Sequence, residues 1–144
     1  MDRILEFASN HYILVSGIAI TAVLLIQDFY EGLTRRHNNT SAAGAVTLMN
    51  EENSVVLDVR EPDEYAKGHI EGAVYIPFGK LKERVAELEG HKNAPVIVTC
   101  QSGTRSGHAC AILQQNGFTR VYNLAGGMME WEEAKMPVTR KKGK

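Results

Sequence analysis

The stretch Ala94-Pro-Val-Ile-Val-Thr-Cys-Gln-Ser-Gly-Thr-Arg-Ser106 changes from apolar to polar at Cys100. Its first half is short, apolar and rich in β-branched residues, which predicts a buried strand. A helical pattern begins at Arg105, so the polar half predicts a loop between a strand and a helix. Cys100 is therefore expected at the junction of strand and loop.

Strand and helix patterns alternate on both sides of that junction. Further strands are predicted at 54–59, 73–76 and 121–124, and helices at 42–50, 62–67, 80–90, 105–116 and 128–134. Alternating elements with short connections predict an α/β fold with parallel strands, right-handed crossovers and helices on both faces. Ligands of such sheets bind at the carboxyl ends of the strands, which is where Cys100 lies.

Composition limits the function classes. The chain has 144 residues and a net charge of −1, from 16 basic and 17 acidic side chains. This balance gives no reason to expect a nucleic-acid partner, which requires clustered positive charge. The cysteines Cys100 and Cys110 are too few for a disulfide scaffold, and His108 with Cys110 matches no common zinc pattern, so we expect no metal and no cofactor. Cys110 is predicted to pack in the core, and a resolving thiol is the alternative.

The N-terminal part differs from the rest. Residues 12–26 carry no formal charge, and these 15 residues make about 22 Å of helix. Extension to 11–30 gives 20 residues, the length that a bilayer core of about 30 Å requires, and predicts a transmembrane helix. A cleaved signal peptide would need a basic start and a small-residue cleavage site, and a buried core helix with apolar residues all round is unusual in a small protein.

This helix divides the chain. We predict a short N-terminal segment at 1–10, the transmembrane helix at 11–30, a linker at 31–40, a domain at 41–138 and a basic tail at 139–144. Arg35 and Arg36 follow the apolar stretch and only Arg3 precedes it. The positive-inside rule then predicts a single pass through the cell (inner) membrane with the domain facing the cytoplasm. A membrane protein is an open candidate as partner.

The loop that begins at Cys100 has the composition of a nucleophilic site. A cysteine attacks as the thiolate, which the N–H groups of a strand-to-helix loop and the positive end of the helix favour. A buried strand-end cysteine is the alternative, and the polar loop argues against it. We therefore expect Cys100 to attack an oxyanion-bearing or sulfur-bearing substrate. The other loop residues are the candidate substrate-binding residues: Gln101, Ser102, Gly103, Thr104, Arg105 and Ser106.

Three stretches of sequence, in this order, carry a resemblance to a known family. They are Leu57-Asp-Val-Arg-Glu-Pro-Asp-Glu-Tyr65 with Gly68-His-Ile-Glu-Gly-Ala73, then Cys100–Ser106, then Asn123-Leu-Ala-Gly-Gly127 with Trp131 and Pro137. They are similar to the first signature, the active-site loop and the closing signature of the single-domain rhodaneses, which are sulfurtransferases. The resemblance covers 41–138 and implies a rhodanese-like domain around a mainly parallel five-stranded sheet, with its missing strand near Asn38–Thr40. A membrane span ahead of one such domain also resembles a bacterial subset of the family.

The resemblance also implies a reaction. Cys100 would take a sulfane sulfur from a donor such as thiosulfate or a persulfide, and would hold it as a persulfide. A thiophilic acceptor, a thiol or a protein in the cell, would then remove it. Arg105 would bind an anionic donor. Asp58 and Arg60 are expected to form an ion pair or cap, and His69 to be a structural histidine, so these three residues would support the site.

Two other functions compete with sulfur transfer. The first is a non-enzymatic, membrane-anchored rhodanese-like module that binds or regulates a partner. The second is a cysteine phosphatase of related fold, whose loops resemble Cys-x5-Arg. Cys100 and Arg105 have four residues between them, and this shorter loop suits a single sulfur atom better than a phosphate.

Overall fold

The computed structural model describes Phe7, Asn10–Thr34 and His37–Arg140. The chain forms two compact units, Met1–Arg36 and His37–Lys144. The first unit contains helix α1 (Tyr12–Thr34), so helical structure continues into the predicted linker at 31–40. The predicted segments at 1–10 and 139–144 lie largely outside the described residues.

The predicted transmembrane helix at 11–30 is not supported. Across the described parts of the chain, no helix combines the length and the apolarity needed to cross a membrane. The orientation towards the cytoplasm stays a prediction, because Arg35 and Arg36 lie outside the described residues.

The second unit alternates strands and helices as the sequence patterns predict. Its strands are β1 (Asn38–Thr40), β2 (Val55–Asp58), β3 (Val74–Tyr75), β4 (Val96–Thr99) and β5 (Val121–Leu124). Its α-helices are α2 (Ala42–Met49), α3 (Pro62–Lys67), α4 (Leu81–Arg84), α5 (Thr104–Gln115) and α6 (Gly127–Glu133).

The strands form one parallel sheet in the order β1-β5-β4-β2-β3. The predicted five-stranded sheet is therefore confirmed, and its missing strand is β1, at the predicted position. Strand β4 is central, with Thr99 beside Asp58 of β2 and Val98 beside Asn123 of β5. The chain segments that follow β2, β4 and β5 consequently meet at one edge of the sheet.

Helices cover both faces of this sheet, as expected. Side chains alternate between the faces of a strand, so Ile97 points away from its neighbours Val96 and Val98. Val96 and Val98 belong to a core cluster with Leu113 of α5. Ile97 belongs to a second cluster, with Ala45 of α2 and Trp131 of α6.

The segment predicted as one helix at 80–90 is wound differently. A 3₁₀ turn at Phe78–Lys80 leads into the short helix α4, and a 3₁₀ segment follows at Val85–His91. The predicted apolar positions still face the core, because Leu81 and Leu88 are buried. A 3₁₀ helix has three residues per turn, so it brings Val85 and Leu88 to the same side without an α-helix.

Truncation of a core side chain should show how much the second cluster stabilises this unit. Ile97→Ala should lower the free energy of unfolding by about 2 to 5 kcal/mol, because Ile97 is fully buried and leaves a cavity. Val46→Ala, on the exposed side of α2, should change it by less than about 0.5 kcal/mol. The measurement is denaturant unfolding followed by the fluorescence of Trp131, the one tryptophan of the chain. Equal effects of the two substitutions would contradict this account of the core.

Candidate active site

Cys100 is the first residue after the central strand, and the loop behind it curls around its sulfur. The N–H of Gly103 donates a hydrogen bond to Cys100 Sγ at 3.0 Å, and Ser106 Oγ lies 3.3 Å from the same atom. Gly103 has φ +95°, a conformation that favours glycine, and it is the residue immediately before helix α5. Cys100 is fully buried, so the sulfur lies beneath the loop and not on the surface.

The hydrogen bonds around Cys100 make its thiol more acidic. Burial acts to raise the pKa of the thiol, because a charged sulfur loses hydration. The Ser106 hydroxyl and the backbone N–H groups of Ser106, Gly103 and Ser102 act in the opposite direction and outweigh it. The pKa of Cys100 is therefore lower than that of an ordinary cysteine, and the thiolate is the favoured state at a lower pH.

Asn123 fixes the position of Ser106. The Ser106 hydroxyl donates to Asn123 Oδ1 at 2.5 Å. Asn123 Nδ2 donates to the carbonyl of Gly103 and to Asn39 Oδ1, each at 3.1 Å. These two bonds orient the amide, so Asn123 of β5, supported by Asn39 of β1, holds Gly103 and Ser106 in the second half of the loop.

Both terminal nitrogens of Arg105 are engaged in a bidentate ion pair with a carboxylate. Its two terminal nitrogens donate to the two carboxylate oxygens of Glu64, at 2.8 Å each. The Arg105 guanidinium holds the pKa of Glu64 at about 2, so the carboxylate is ionised at any ordinary pH. Glu64 Oε2 also accepts the N–H of Glu61 at the start of α3, which ties this pair to the helix.

A second ion pair is buried beneath the loop. Arg60 Nη2 donates to Asp58 Oδ2 at 2.8 Å, and the side chains are 3% and 0% exposed. The same guanidinium donates to the carbonyl of Gly68 at 2.7 Å and to Gln101 Oε1 at 3.3 Å. Arg60 therefore connects the end of β2 to the residue that follows Cys100.

The carbonyl groups of the loop face helix α6. The N–H of Met128 donates to the carbonyl of Cys100 at 2.8 Å, and the N–H of Met129 donates to that of Gln101 at 3.2 Å. Gly127, at φ +57°, lies so close that an added Cβ would overlap the Cys100 carbonyl and stand 2.8 Å from the Gln101 carbonyl carbon. The carbonyls of Cys100 and Gln101 thus accept hydrogen bonds on the side of the loop that faces away from the sulfur.

The remaining predicted residues have supporting positions. His69 is buried, its Nδ1 lies 2.9 Å from the Tyr65 carbonyl, and its ring stacks on that of Tyr65 at a centroid distance of 3.7 Å. Ser102 acts through its backbone N–H, and Thr104 begins α5.

Cys110 is in the core, and burial raises the pKa of its thiol to about 12. In the described ranges, no three His, Cys, Asp or Glu side chains are grouped so that they could hold a metal ion.

A groove with a volume of about 720 Å³ adjoins the loop. Its lining includes the loop residue Gln101 and two side chains that bond to the loop, Arg60 and Glu64. Lys67 and Arg140 lie at the same groove. The site therefore has space for a ligand beside the residue that follows Cys100.

Sequence reasoning missed two residues of this site, Glu64 and Asn123. Both lie inside the quoted motifs, but neither was given a role. Glu64 is the third residue of a short helix that starts after Glu61, and an acidic residue there indicates a capping box. Its pairing with Arg105, 41 residues away, has no local signal.

Comparison with known proteins places this site in a family. The family model described as rhodanese-like domain matches residues 41–134. An uncharacterized Escherichia coli protein named YibN is 34% identical over 99% of this chain and 100% of its own length. A sulfurtransferase of Allochromatium vinosum is 36% identical over 67% of this chain and 88% of its own. The crystal structure of a rhodanese-related protein from Thermoplasma volcanium superposes with a TM-score of 0.65 at 32% identity, covering 73% of this chain and all of the other. The chain belongs to the rhodanese-like domain family.

Loss of the Ser106 hydroxyl should make Cys100 less acidic. Ser106→Ala should raise the pKa of Cys100, because it removes a hydroxyl that can turn its proton from Asn123 Oδ1 towards the thiolate and so stabilise the charge. Ser102→Ala is the matched control, since Ser102 acts through its backbone N–H, and it should leave this pKa unchanged. The measurement is the ultraviolet absorbance of the thiolate against pH, read below the range in which Cys110 is expected to ionise, because burial raises the pKa of that thiol to about 12. An unchanged midpoint in Ser106→Ala would contradict the assignment.

A side chain at Gly127 should disturb the loop. Gly127→Ala should destabilise the protein more than Gly72→Ala, because both positions have positive φ but only Gly127 faces the loop backbone. An alanine at Gly72 would have no atom within 4 Å of its Cβ, so this control carries the backbone strain alone. Denaturant unfolding of both variants is the measurement. Equal destabilisation would show that the close approach of α6 is unimportant.

Proposed function

We propose that the chain is a sulfurtransferase in which Cys100 carries the sulfur as a persulfide. The observation that carries the proposal is the set of hydrogen-bond donors on Cys100 Sγ, which favours an anion at that atom. Membership of the rhodanese-like family and its sulfurtransferase relative give independent support. The donor is a small molecule with a sulfane sulfur, and the acceptor is a thiol or a protein.

The first half of the reaction charges Cys100. The thiolate attacks the sulfane sulfur of the donor, a new S–S bond forms at Sγ, and the old bond to that sulfur breaks. The bonding pair leaves with the remainder of the donor, which is sulfite from thiosulfate or a thiolate from a persulfide. Neither case needs an oxidant, a metal or a general base, because Cys100 reacts already deprotonated.

The second half returns the enzyme to its starting state. An acceptor thiolate, or cyanide in an assay, attacks the outer sulfur and takes it, and the bonding pair returns to Cys100 Sγ. The N–H groups that favour the thiolate then favour this departing sulfur as well, so one set of donors supports both halves. The groove beside Gln101 offers the acceptor a place to approach the loop.

Phosphate transfer fits this site less well. A phosphatase loop has to wrap a tetrahedral dianion and present a cation to it. Both terminal nitrogens of Arg105 are bound to Glu64, and the loop between Cys100 and Arg105 is short. The single sulfur that the loop encloses agrees better with persulfide chemistry.

The test is intact mass of the protein after incubation with a sulfane-sulfur donor, with thiosulfate and an alkyl persulfide in separate reactions. The protein should gain the mass of one sulfur atom, and cyanide should remove it. Cys100→Ser should gain none, because its hydroxyl is not ionised under these conditions.

Cys110→Ser is the matched control, since Cys110 is buried and its thiol has a raised pKa. This variant should be charged as readily as the unmodified protein. Failure of both donors to charge a folded protein would overturn the proposed activity and favour a binding module.

A further inference from the structure

The charged groups around the loop are paired with one another. Arg60 lies against Asp58, and Arg105 lies against Glu64. Lys67 and Arg140 at the adjoining groove are exposed, so water and salt screen their charges. The backbone donors favour one negative charge at Cys100. Arg105 would favour a second negative charge, on a donor molecule, but Glu64 neutralises the charge of Arg105.

We propose that Glu64 determines donor specificity by neutralising Arg105, so that the site prefers alkyl persulfide donors over the thiosulfate dianion. This inference rests on the proposed function of Cys100. It assigns to Glu64 a role that the motif alone does not give, and it names the substrate class of the charging step.

Charge counting separates the two donors. Attack on thiosulfate brings a dianion to a thiolate, and sulfite leaves as a dianion. An alkyl persulfide brings no charge, or one negative charge when its outer sulfur is ionised; that sulfur moves to Cys100 with its proton if it carries one, and an alkyl thiolate leaves with the bonding pair. The dianion therefore needs a nearby cation far more than the persulfide does.

The geometry makes the Arg105–Glu64 pair adjustable. Its side chains are 35% and 29% exposed, in contrast to the sealed pair of Arg60 and Asp58. Arg105 belongs to the loop around Cys100 and directly precedes Ser106, whose Oγ lies 3.3 Å from Cys100 Sγ, so its charge acts close to the reacting sulfur. A change at Glu64 should alter the field at Cys100 without removing any donor that contacts Sγ.

Glu64→Gln is the variant that tests the inference. Glutamine keeps an oxygen for the N–H of Glu61 and for one Arg105 nitrogen, but it carries no charge. The second-order rate constant for charging by thiosulfate should rise about tenfold, and that for an alkyl persulfide should change far less. Asp63→Asn, an exposed neighbour on the same helix, is the matched control and should change neither rate constant.

The effect must depend on Arg105. In an Arg105→Ala background, Glu64→Gln should no longer raise the rate constant for thiosulfate. The reason is that the positive charge of Arg105, which Glu64 neutralises, is absent from this variant. A rise that persists in this background would overturn the inference, as would an unchanged rate constant in Glu64→Gln alone.

A binding measurement separates this inference from the proposed activity. Thiosulfate should bind Cys100→Ser carrying Glu64→Gln about tenfold more tightly than Cys100→Ser alone, as measured by calorimetry. Equal affinities would overturn the inference even if Cys100 is charged as proposed. If neither donor charges the unmodified protein, the proposed activity fails, and a gain in affinity would still identify Glu64 as the residue that limits anion binding.

Discussion

The site depends on the direction of the peptide groups in the loop after β4. Their N–H groups point inward to Cys100 Sγ, and the carbonyls of Cys100 and Gln101 point outward to the N–H groups of Met128 and Met129. Reversed peptides would place carbonyl dipoles against a thiolate and disfavour it. Helix α6 therefore contributes to the chemistry without touching the sulfur, because it supplies the partners that hold the loop in this orientation.

The two arginines of the site stabilise it in different ways. The Arg60 guanidinium is shielded from water, and it donates hydrogen bonds to Asp58, Gly68 and Gln101. Removal of one partner would leave a buried charge, so this pair fixes geometry more than it adds free energy of folding. The Arg105–Glu64 pair retains contact with solvent, and exposed pairs are weak. A weak pair can adjust to an incoming ligand, whereas a buried one cannot.

The sheet was predictable because its signals are local. Strands β2 and β4 are rich in β-branched residues, and Cys100 could be placed at the sheet edge from the order of elements alone. Strand β1, Asn38-Asn-Thr40, is short and polar, so no apolar pattern marks it. Only the resemblance to a family indicated that a strand should lie there.

The parts that sequence reasoning missed are contacts between distant residues. Glu64 meets Arg105 across 41 positions, and Asn123 meets Gly103 across 20. Side-chain chemistry allows many such pairs, and only the packing of α3 and β5 against the loop selects these.

The two cysteines show why burial alone cannot identify a reactive thiol. Cys100 and Cys110 are both fully buried, yet their pKa values move in opposite directions. Burial acts to raise both values. At Cys100 the donors from Gly103 and Ser106 outweigh it, whereas at Cys110 the charge of Cys100 adds to it. Reactivity in this fold is therefore set by the loop between strand and helix, and the thiol of Cys110, in the helix that follows the loop, remains a core side chain.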